Sequence, residues 1–558
     1  MTKQEVKEKH EKLDSNKPPP LDHEIKESCT EKFTSCRWMI GYMCCAARFS
    51  QSAIRQLIGM ATVCMTLQRA VEYQVTPKDM EEFHPNVSLN ASKLVEKEEE
   101  DFTWSSEFEG TVLAAFNFGF IASPIIGGYI AGYFGGKRVI TFSLIVGSLA
   151  TVLTPVAARA DKALLVFMRA VAGLVMGAVD PAIQSLWSKW APMYEKSQLT
   201  TCSYSGLSIA GITTFLVSGY LCTIQLDNGW PFIFYVFGGF SLLLVFPWLY
   251  LVYDSPEQHP RIKMEEIKYI NHGKSTSIKK SIHPPWPKIL TSLPFWAIVV
   301  AHITYTWVTS WVLAYLPKYL NNILKFNVEE DGIVSSIPFV GRLVSGAVCG
   351  YLSDWLQKKR YFTTVTVRKI FQSIGCVGCA GCMIGISFLD HNNRILAVCL
   401  LILGLTFQNF TSVAFRINHL DIAPRYAGVL MGVTTTVAMS AGLSAPFITS
   451  ALIEEDTAEE WKEVFWIVAA LNVVGAIIFA IFAKGEIQPW AIESIVKVID
   501  PPIDESVVKG LDVKSDLPTY IDVVSDNGVV NPAFTIKDEN LNQGHNVSDF
   551  YEESSTKL

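Results

Sequence analysis

Long apolar stretches recur along most of the chain and are separated by short polar segments. A helix needs about 20 apolar residues to cross the hydrocarbon core of a bilayer. Backbone polar groups in lipid must be hydrogen-bonded within their own segment, so these stretches must be helices. The pattern predicts twelve membrane spans, numbered 1 to 12, at residues 38–65, 109–132, 137–157, 163–187, 200–223, 231–253, 292–318, 332–355, 367–388, 395–417, 426–450 and 461–484.

Composition supports this interpretation, because half of the residues are hydrophobic and only 18% are charged. A soluble protein with buried helices would not place so many long apolar stretches in succession. The spans and the polar segments between them predict five regions. These are a cytoplasmic N-terminal tail (1–36), an N-terminal six-helix half (37–253), a cytoplasmic linker (254–291), a C-terminal six-helix half (292–489) and a disordered cytoplasmic tail (490–558).

One short motif occurs twice, half a chain apart. Residues 128–138 read GYIAGYFGGKR and residues 350–360 read GYLSDWLQKKR, each between two apolar spans. Such a repeat is typical of transporters built from two parallel structural repeats. The sequence therefore predicts an all-α membrane protein with twelve transmembrane helices in two six-helix repeats. The motif residues taken as candidates for conformational gating loops are Lys137, Arg138, Asp354 and Arg360.

The distribution of charge predicts the orientation. The linker carries seven Lys and Arg residues between positions 261 and 288, whereas the loops after span 1 and before span 12 are rich in Asp and Glu. The positive-inside rule therefore places the linker, both repeated motifs and both termini in the cytoplasm. The sequons at Asn86 and Asn90 lie in the first non-cytoplasmic loop, where glycosylation is expected. Those at Asn409, inside a span, and Asn546, in the tail, are expected to stay unmodified.

Ionisable residues inside spans are candidates for function, because each costs roughly 2.5–3.5 kcal/mol on insertion scales. Arg48 and Arg55 share a face of span 1, Arg169 and Asp180 share a face of span 4, and spans 7 and 8 carry His302 and Arg342. Each could instead be paired or snorkelling. That alternative is weakest for Arg55 and Arg169, which lie deepest. A cavity with more arginine than carboxylate attracts anions, and the guanidinium fork fits carboxylate or phosphate.

Several further motifs resemble one family. They include Asn228-Gly-Trp-Pro231, Leu316-Pro-Lys-Tyr319, Gly485-Glu-Ile-Gln-Pro-Trp490 and, most specific, the run NHLDIAPRYAG at 418–428. Over residues 37–490 the chain resembles the anion:cation symporter family of the major facilitator superfamily. That family includes type I sodium–phosphate cotransporters, sialin and vesicular glutamate transporters.

The resemblance implies the major facilitator fold, alternating access, and a small anionic solute, either an organic anion or inorganic phosphate. It implies substrate or gating roles for Arg55 and Arg169, which match arginines of the family in spans 1 and 4. Spans 1, 4 and 7 line the cavity in this superfamily, so His302 and Tyr305 of span 7 are expected as further polar contributors to substrate binding.

The coupling ion is left open between a proton and sodium. The family usually has a glutamate seven residues after the span 4 arginine, and this chain has Met176, which cannot titrate. Asp180 lies one turn further on, before Pro181, which frees a backbone carbonyl. Asp180 is therefore the coupling candidate. The alternatives are a permanent pair with Arg48 or Arg55, or a facilitator or exchanger without coupling.

Other classes of function find little support. The chain has no His-Glu-x-x-His, phosphate-binding Gly-rich loop or Gly-x-Ser-x-Gly elbow, so we expect no enzyme. Cys376, Cys379 and Cys382 alternate with glycines and predict a packing face rather than a metal site. We expect no metal, cofactor or nucleic-acid partner, and a lipid bilayer of the plasma membrane or of endolysosomal or vesicular membranes. The alternative function is a transporter-derived sensor or scaffold that moves no solute.

Overall fold

The computed structural model describes residues 28–66, 106–222, 226–272, 284–324, 328–389, 393–453 and 457–491, with the single residues 102, 104 and 224. Within these ranges all regular secondary structure is helical. The predictions for Asn86, Asn90 and Asn546, and for the tail beyond residue 491, lie outside the described residues.

Twelve helical units, α1 to α12, correspond one to one to the predicted spans. Eight are continuous: α1 Cys36–Thr66, α3 Gly136–Ala160, α5 Lys196–Leu221, α7 Leu293–Asn322, α8 Val328–Lys358, α9 Thr364–Ile386, α10 Arg394–Ile422 and α12 Ala458–Phe482. Four are broken: α2 Ser106–Ala122 and Pro124–Phe134, α4 Lys162–Met176 and Val179–Trp190, α6 Trp230–Leu243 and Val245–Leu251, α11 Ala427–Gly442 and Ser444–Leu452. Among the described residues, three short α-helices lie outside the spans, at Cys29–Thr34, Met264–Asn271 and Trp286–Leu290.

Proline accounts for three of the four breaks. In α4, α6 and α11 the helix is interrupted four residues before a proline. Proline has no N–H group, so the backbone carbonyl four residues before it has no helical hydrogen-bond donor. The pairs are Gly177 and Pro181, Leu243 and Pro247, and Gly442 and Pro446. In α2, Pro124 begins the second piece, which is bent by 44° from the first. The breaks are therefore encoded locally in the sequence.

Not every unit is apolar enough to be recognised as a span by composition. In the part of the chain that the structure describes, nine helices pass that test, and the bent pair of α2 makes a tenth. The remaining two are α1 and α8, which carry several ionisable residues along their lengths. Polar residues are tolerated in a span where they face the interior of the bundle. The prediction of twelve transmembrane helices in two repeats is confirmed.

Each half has its own apolar packing. One large cluster of buried side chains joins mainly α1 to α6, and two others join mainly α7 to α12. The halves meet chiefly where α2 and the second piece of α4 pack on α11, and where α5 packs on α8. Two halves with separate cores can rotate against each other as bodies, which is the motion that alternating access needs.

Polar contacts tie the halves together at one end of the bundle. We call this end the linker side, because it carries the linker helix Met264–Asn271 and both repeated motifs. Asp354 of α8 accepts hydrogen bonds from the backbone N–H groups of Ser197 (3.0 Å) and Gln198 (2.8 Å), at the start of α5. A carboxylate is favoured there by the helix dipole and by the unpaired amides of the first turn. Asp421 of α10 accepts from Lys196 (2.9 Å) and from Arg368 (2.8 Å). The linker side is therefore closed.

The two repeated motifs make different contacts. Lys137 donates its backbone N–H to Asp254 (2.8 Å), the first residue of the linker, and Arg138 is exposed. Arg360, in contrast, forms a hydrogen bond with Tyr194, which offsets part of the rise that burial causes in the pKa of the Tyr194 phenol. The second motif thus contacts the opposite half through Asp354 and Arg360. The first motif instead contacts Asp254, which directly follows the last span of its own half. The gating role of these four residues stays a prediction.

A disulfide between Cys64 and Cys222 lies at the other end of the bundle, where α1 and α5 finish. It joins two helices of the N-terminal half. This bond is not predictable from cysteine spacing, because a pair of cysteines among twelve has no distinctive spacing. The signal that could have found it is the position of both residues at the ends of spans on the same side.

Glycines bring α2 and α11 unusually close on the linker side. A Cβ atom at Gly128 would lie 2.4 Å from the carbonyl oxygen of Gly428, and one at Gly432 would lie 2.3 Å from that of Pro124. Real Cβ atoms do not approach backbone so closely. At Gly132, in the same helix as Gly128, a Cβ would meet nothing within 4 Å. Gly128 therefore allows the close packing of α2 on α11, whereas Gly132, four residues further on, does not take part in it.

Gly128→Ala should destabilise the closed linker side, because overpacking typically costs about 1–3 kcal/mol. A reporter is the substitution Ser185→Cys, at a buried position beside Gly428, in a background without the free cysteines. We expect a thiol reagent to label the introduced thiol faster in the Gly128→Ala variant, and at an unchanged rate in the control Gly132→Ala. Equal rates in both variants would contradict the assignment.

Candidate functional site

A central cavity lies between the two halves, on the inner side of the closed contacts. Its volume is about 50 Å³, which is room for a few water molecules. Side chains from α1, α2, α4, α5, α7, α10 and α11 line it. The polar and charged ones are Arg48, Gln51, Ser52, Arg55, Gln56, Asp180, His302, Tyr305, Thr306, Thr309, Ser310, Arg416 and Thr435.

The charges of this lining are unbalanced, since three arginines face one carboxylate. Arg48 of α1 forms an ion pair with Asp180 of α4, with 2.6 Å between Nη1 and Oδ2. Both side chains are more than nine-tenths buried, so the pair is poorly screened by water. Arg55 and Arg416 have no carboxylate partner among the described residues. The cavity thus carries two positive charges that no neighbouring acidic group neutralises.

The break in α4 positions Asp180. Pro181 leaves the carbonyl of Gly177 without a helical donor, and the second piece of α4 begins at Val179. Asp180 therefore lies in the first turn of the second piece, directed at α1. Gln51 of α1 donates to the carbonyl of Met176 (2.7 Å) and also contacts Arg48. The second carboxylate oxygen of Asp180, Oδ1, has no protein partner among the described residues.

Arg55 lies where an anion could reach it. Its Nη1 is 3.8 Å from the sulfur of Met439, and its guanidinium lies 5.5 Å from the ring centre of Phe120. These contacts are weak, and they leave most of the guanidinium donors for a ligand. The structure therefore places Arg55 at the cavity surface, and its role as a substrate ligand stays a prediction.

Arg169 does not line the cavity, in contrast to that expectation. Its side chain is fully buried, and Nη1 and Nη2 both donate to the carbonyl oxygen of Ile54, each at 3.1 Å. Phe116 of α2 covers the guanidinium at 5.1 Å. The prediction that Arg169 and Asp180 share a face assumed a continuous helix, and the break at Gly177 changes their relative direction. Arg169 holds the α1 backbone immediately before Arg55.

Met176 also points away from the cavity. Its side chain packs against α3, where a Cβ at Gly147 would lie 2.4 Å from the Met176 terminal methyl carbon. The position at which the family has a glutamate is therefore occupied here by a core side chain. Asp180 is the one carboxylate of the described cavity lining.

His302 and Tyr305 of α7 both line the cavity, where the sequence analysis expected them. Nδ1 of His302 lies 3.1 Å from the hydroxyl of Thr434, which also contacts Nε2 of His419 at 3.0 Å. The hydroxyl of Tyr305 accepts a hydrogen bond from Arg342 of α8. Arg342 is buried behind Tyr305 rather than in the lining.

Arg416 of α10 is a cavity residue that the sequence analysis missed. It lies one residue before the end of predicted span 10, where a basic side chain looks like part of a loop. In the structure α10 continues to Ile422, so Arg416 lies well inside the helix and its side chain is buried. An ionisable residue just inside a span end was the available signal.

No metal site is found in the described ranges, where no three His, Cys, Asp or Glu side chains are grouped to hold an ion. Cys376, Cys379 and Cys382 lie buried on one side of α9. A Cβ at Gly404 of α10 would lie 3.0 Å from the Cβ of Cys382. These cysteines therefore contribute to helix packing.

The sequence matches the profile of the Major Facilitator Superfamily over residues 86–446. The match covers more than half of the chain and includes both repeated motifs. The chain belongs to the major facilitator superfamily. It is therefore an integral, multi-pass membrane protein, as its twelve helices also indicate.

Members of this superfamily among characterised proteins are similar to the chain along most of its length. Sialin from Homo sapiens is 37% identical over 462 residues, which is 81% of this chain and 92% of sialin. Vesicular glutamate transporter 2 from Homo sapiens is 35% identical, with 73% of this chain and 70% of that protein covered. A probable small intestine urate exporter from Mus musculus is 32% identical, with 85% and 96% covered.

These identities show that the chain belongs to the group that contains sialin and the vesicular glutamate transporters, as the resemblance predicted. Its relatives are transporters and not enzymes.

Among solved structures, the proton:xylose symporter XylE matches with a TM-score of 0.60 at 12% identity, covering 84% of this chain and all of XylE. The fucose:proton symporter FucP in the outward conformation gives 0.56 at 12% identity, covering 80% of this chain and all of FucP. At this identity the structures support the major facilitator fold alone.

Proposed function

We propose that this member of the superfamily is a secondary transporter that moves small organic anions or inorganic phosphate across a membrane by alternating access. The observation that carries the proposal is the pair of cavity arginines without a carboxylate partner among the described residues, Arg55 and Arg416. Uncompensated cations are unfavourable in a low-dielectric interior, and an anionic solute supplies the missing charge. The relatives named for transport of glutamate and urate, both anions, agree with this substrate class.

In this proposal Arg55 is a substrate ligand, and His302 and Tyr305 add polar contacts from the opposite half. Arg169 acts indirectly, because its two hydrogen bonds to Ile54 fix the part of α1 that carries Arg55. The contacts that cross between the halves on the linker side, from Asp354 to the start of α5 and from Asp421 to Lys196, must break for the solute to leave in that direction. The cavity is then exposed to each side of the membrane in turn.

Replacing Arg55 by Lys tests this function, because Lys keeps the charge but loses the planar fork that binds a carboxylate or phosphate at two points. We expect uptake of anions by purified protein in liposomes to fall at least about tenfold, as the loss of one charge-assisted hydrogen bond predicts. A mixture of labelled phosphate, glutamate, sialate and urate would cover the substrate class.

The control is Arg159→Lys, since Arg159 forms a half-exposed ion pair with Asp227 away from the cavity. Wild-type kinetics in Arg55→Lys would refute a bidentate role for Arg55. If the wild-type protein took up no anion with the tail intact or removed, the alternative of a sensor or scaffold without transport would replace this proposal.

The proposed orientation places the linker side and both termini in the cytoplasm. The basic linker supports it through the positive-inside rule. The disulfide between Cys64 and Cys222 gives independent support, because it lies at the opposite end and disulfides persist in oxidising compartments outside the cytosol. The membrane would be the plasma membrane or that of vesicles or endolysosomes, each of which has such a compartment on its other side.

Accessibility of a C-terminal tag in intact and permeabilised cells tests this orientation, and we expect binding of an antibody only after permeabilisation. Glycan occupancy should be lost when Asn86 and Asn90 are both replaced by Gln. Asn409 should stay unmodified, because its side chain donates to the carbonyl of Arg342 (2.7 Å) inside the bundle. A tag that is accessible in intact cells would overturn the proposal for a plasma-membrane protein.

For coupling, we propose that Asp180 exchanges partners during the cycle and binds a proton or sodium when Arg48 turns to the substrate. Two features support this: the 2.6 Å pair with Arg48 at the cavity, and the second oxygen of Asp180, which no described residue contacts. The alternative of a permanent pair is supported by the same distance. A facilitator without coupling would need no such exchange.

Gradient-driven uptake and counterflow, measured together in Asp180→Asn, separate these alternatives. Loss of driven uptake with counterflow retained is the expected result. The single substitution also leaves Arg48 unpaired, which in buried pairs typically costs about 3–5 kcal/mol. The matched control is therefore the double variant Arg48→Gln and Asp180→Asn, which removes both charges. Restored driven uptake in the double variant would indicate a permanent structural pair, and unchanged driven uptake in Asp180→Asn would end the coupling role.

A further inference from the structure

We infer that Arg416 is a second anion ligand, and that the preferred substrate is a small dianion that bridges Arg416 and Arg55 across the two halves. The inference rests on the proposed function and specifies its substrate class. It assigns to α10 a contact with substrate, whereas the sequence analysis placed the ligands on spans 1, 4 and 7.

The surroundings of Arg416 suit a ligand-binding arginine. The residue is only 4% exposed, and it lines the cavity. The guanidinium lies over two tyrosine rings, 4.2 Å from the centre of Tyr204 and 4.8 Å from that of Tyr305. Cation–π contacts stabilise the charge of a guanidinium without using its N–H groups as hydrogen-bond donors.

The hydrogen-bonding groups of Arg416 remain unused within the described part of the chain. Its Nε is buried without any partner, and its side chain takes part in no ion pair there. A buried donor without a partner is rare and costs free energy. The backbone carbonyl of the same residue, in contrast, accepts from Gln184 of α4 at 2.7 Å. The backbone of Arg416 is thus held in place, while its guanidinium has no hydrogen-bond acceptor in the described part of the chain.

The charges of the cavity favour two anionic groups in one solute. Arg48 and Asp180 neutralise each other, which leaves Arg55 and Arg416. A monoanion would compensate only one of them. A dianion compensates both, and each guanidinium can bind one carboxylate with two N–H groups.

The positions of the two arginines give such a solute a mechanical role. Arg55 belongs to α1 in the N-terminal half, and Arg416 belongs to α10 in the C-terminal half. A solute held by both arginines would link the halves and favour a conformation in which they are close. Differential affinity of this kind is what allows a ligand to shift a conformational equilibrium.

Matched probes test the inference on the full-length protein in lipid nanodiscs. Succinate and glutarate carry two carboxylates, whereas their monoamides, succinamate and glutaramate, have nearly the same shape and only one. Dissociation constants are measured from the ligand-dependent shift in thermal unfolding. We expect the wild-type protein to bind the better diacid at least about tenfold more tightly than its monoamide, since one charge-assisted contact is lost.

In Arg416→Gln the preference for the diacid should disappear, with affinity for the monoamide little changed. Arg416→Lys keeps the charge and serves as a second variant if the first is unstable, and its preference should be intermediate. Arg159→Gln, which removes a surface arginine, should retain the wild-type ratio. Equal affinities in the wild type, no binding of either diacid, or an unaltered ratio in both Arg416 variants would overturn the inference. Uptake of other anions by the wild type in those cases would leave the proposed function standing.

Discussion

The cost of holding positive charge in a membrane interior governs this structure. Four of the buried arginines lie at or near the central cavity, and each has a different means of compensation. Arg48 has a carboxylate, Arg169 a backbone carbonyl, and Arg342 the hydroxyl of Tyr305. Arg416 has aromatic rings. Aromatic faces offset only part of the loss of hydration, since a cation–π contact is worth about 2 kcal/mol when desolvated. A bound anion therefore contributes most where the protein compensates the charge of a buried arginine least.

The same principle explains why the linker side is closed so firmly. Asp354, Asp421, Lys196 and Arg368 are brought together where α5, α8, α9 and α10 meet, and each charge has an opposite charge or helix N-terminus beside it. The contacts of Lys196 with Asp421 and of Asp354 with the start of α5 cross between the halves, so they exist only while this side is shut. The first repeat offers no equivalent acid, because Gly132 occupies the position that corresponds to Asp354. Closure at α2 and α11 depends instead on backbone contact at Gly128 and Gly432. The second repeat thus closes the linker side through charged contacts, and the first repeat closes it through close packing of α2 on α11.

Much of the fold could be predicted because it depends on local composition. Apolar length determines the spans, and proline explains the breaks in α4, α6 and α11 four residues upstream. The site was harder to predict, because the direction of a side chain also depends on helix breaks and helix ends, which the periodicity of the sequence does not reveal. The spacing of eleven residues between Arg169 and Asp180 predicted one face, yet the break at Gly177 places them on separate helical pieces. Arg416 was missed for a related reason, since the predicted end of span 10 falls short of the end of α10 at Ile422. The disulfide between Cys64 and Cys222 joins residues far apart in sequence, and only the tertiary fold brings them together.

Replacement of the usual glutamate by Met176 changes how this member of the superfamily can balance charge. A glutamate at that position would add a negative group beside α3, whereas Met176 fills the space at Gly147 with apolar atoms. The single carboxylate of the described lining then lies at Asp180, on the other side of the helix break, and it is already paired with Arg48. Any negative charge that neutralises Arg55 and Arg416 must therefore come from outside the described lining. Because the lining is already positive, electrostatics favours an anion over a cation as the first solute to enter it.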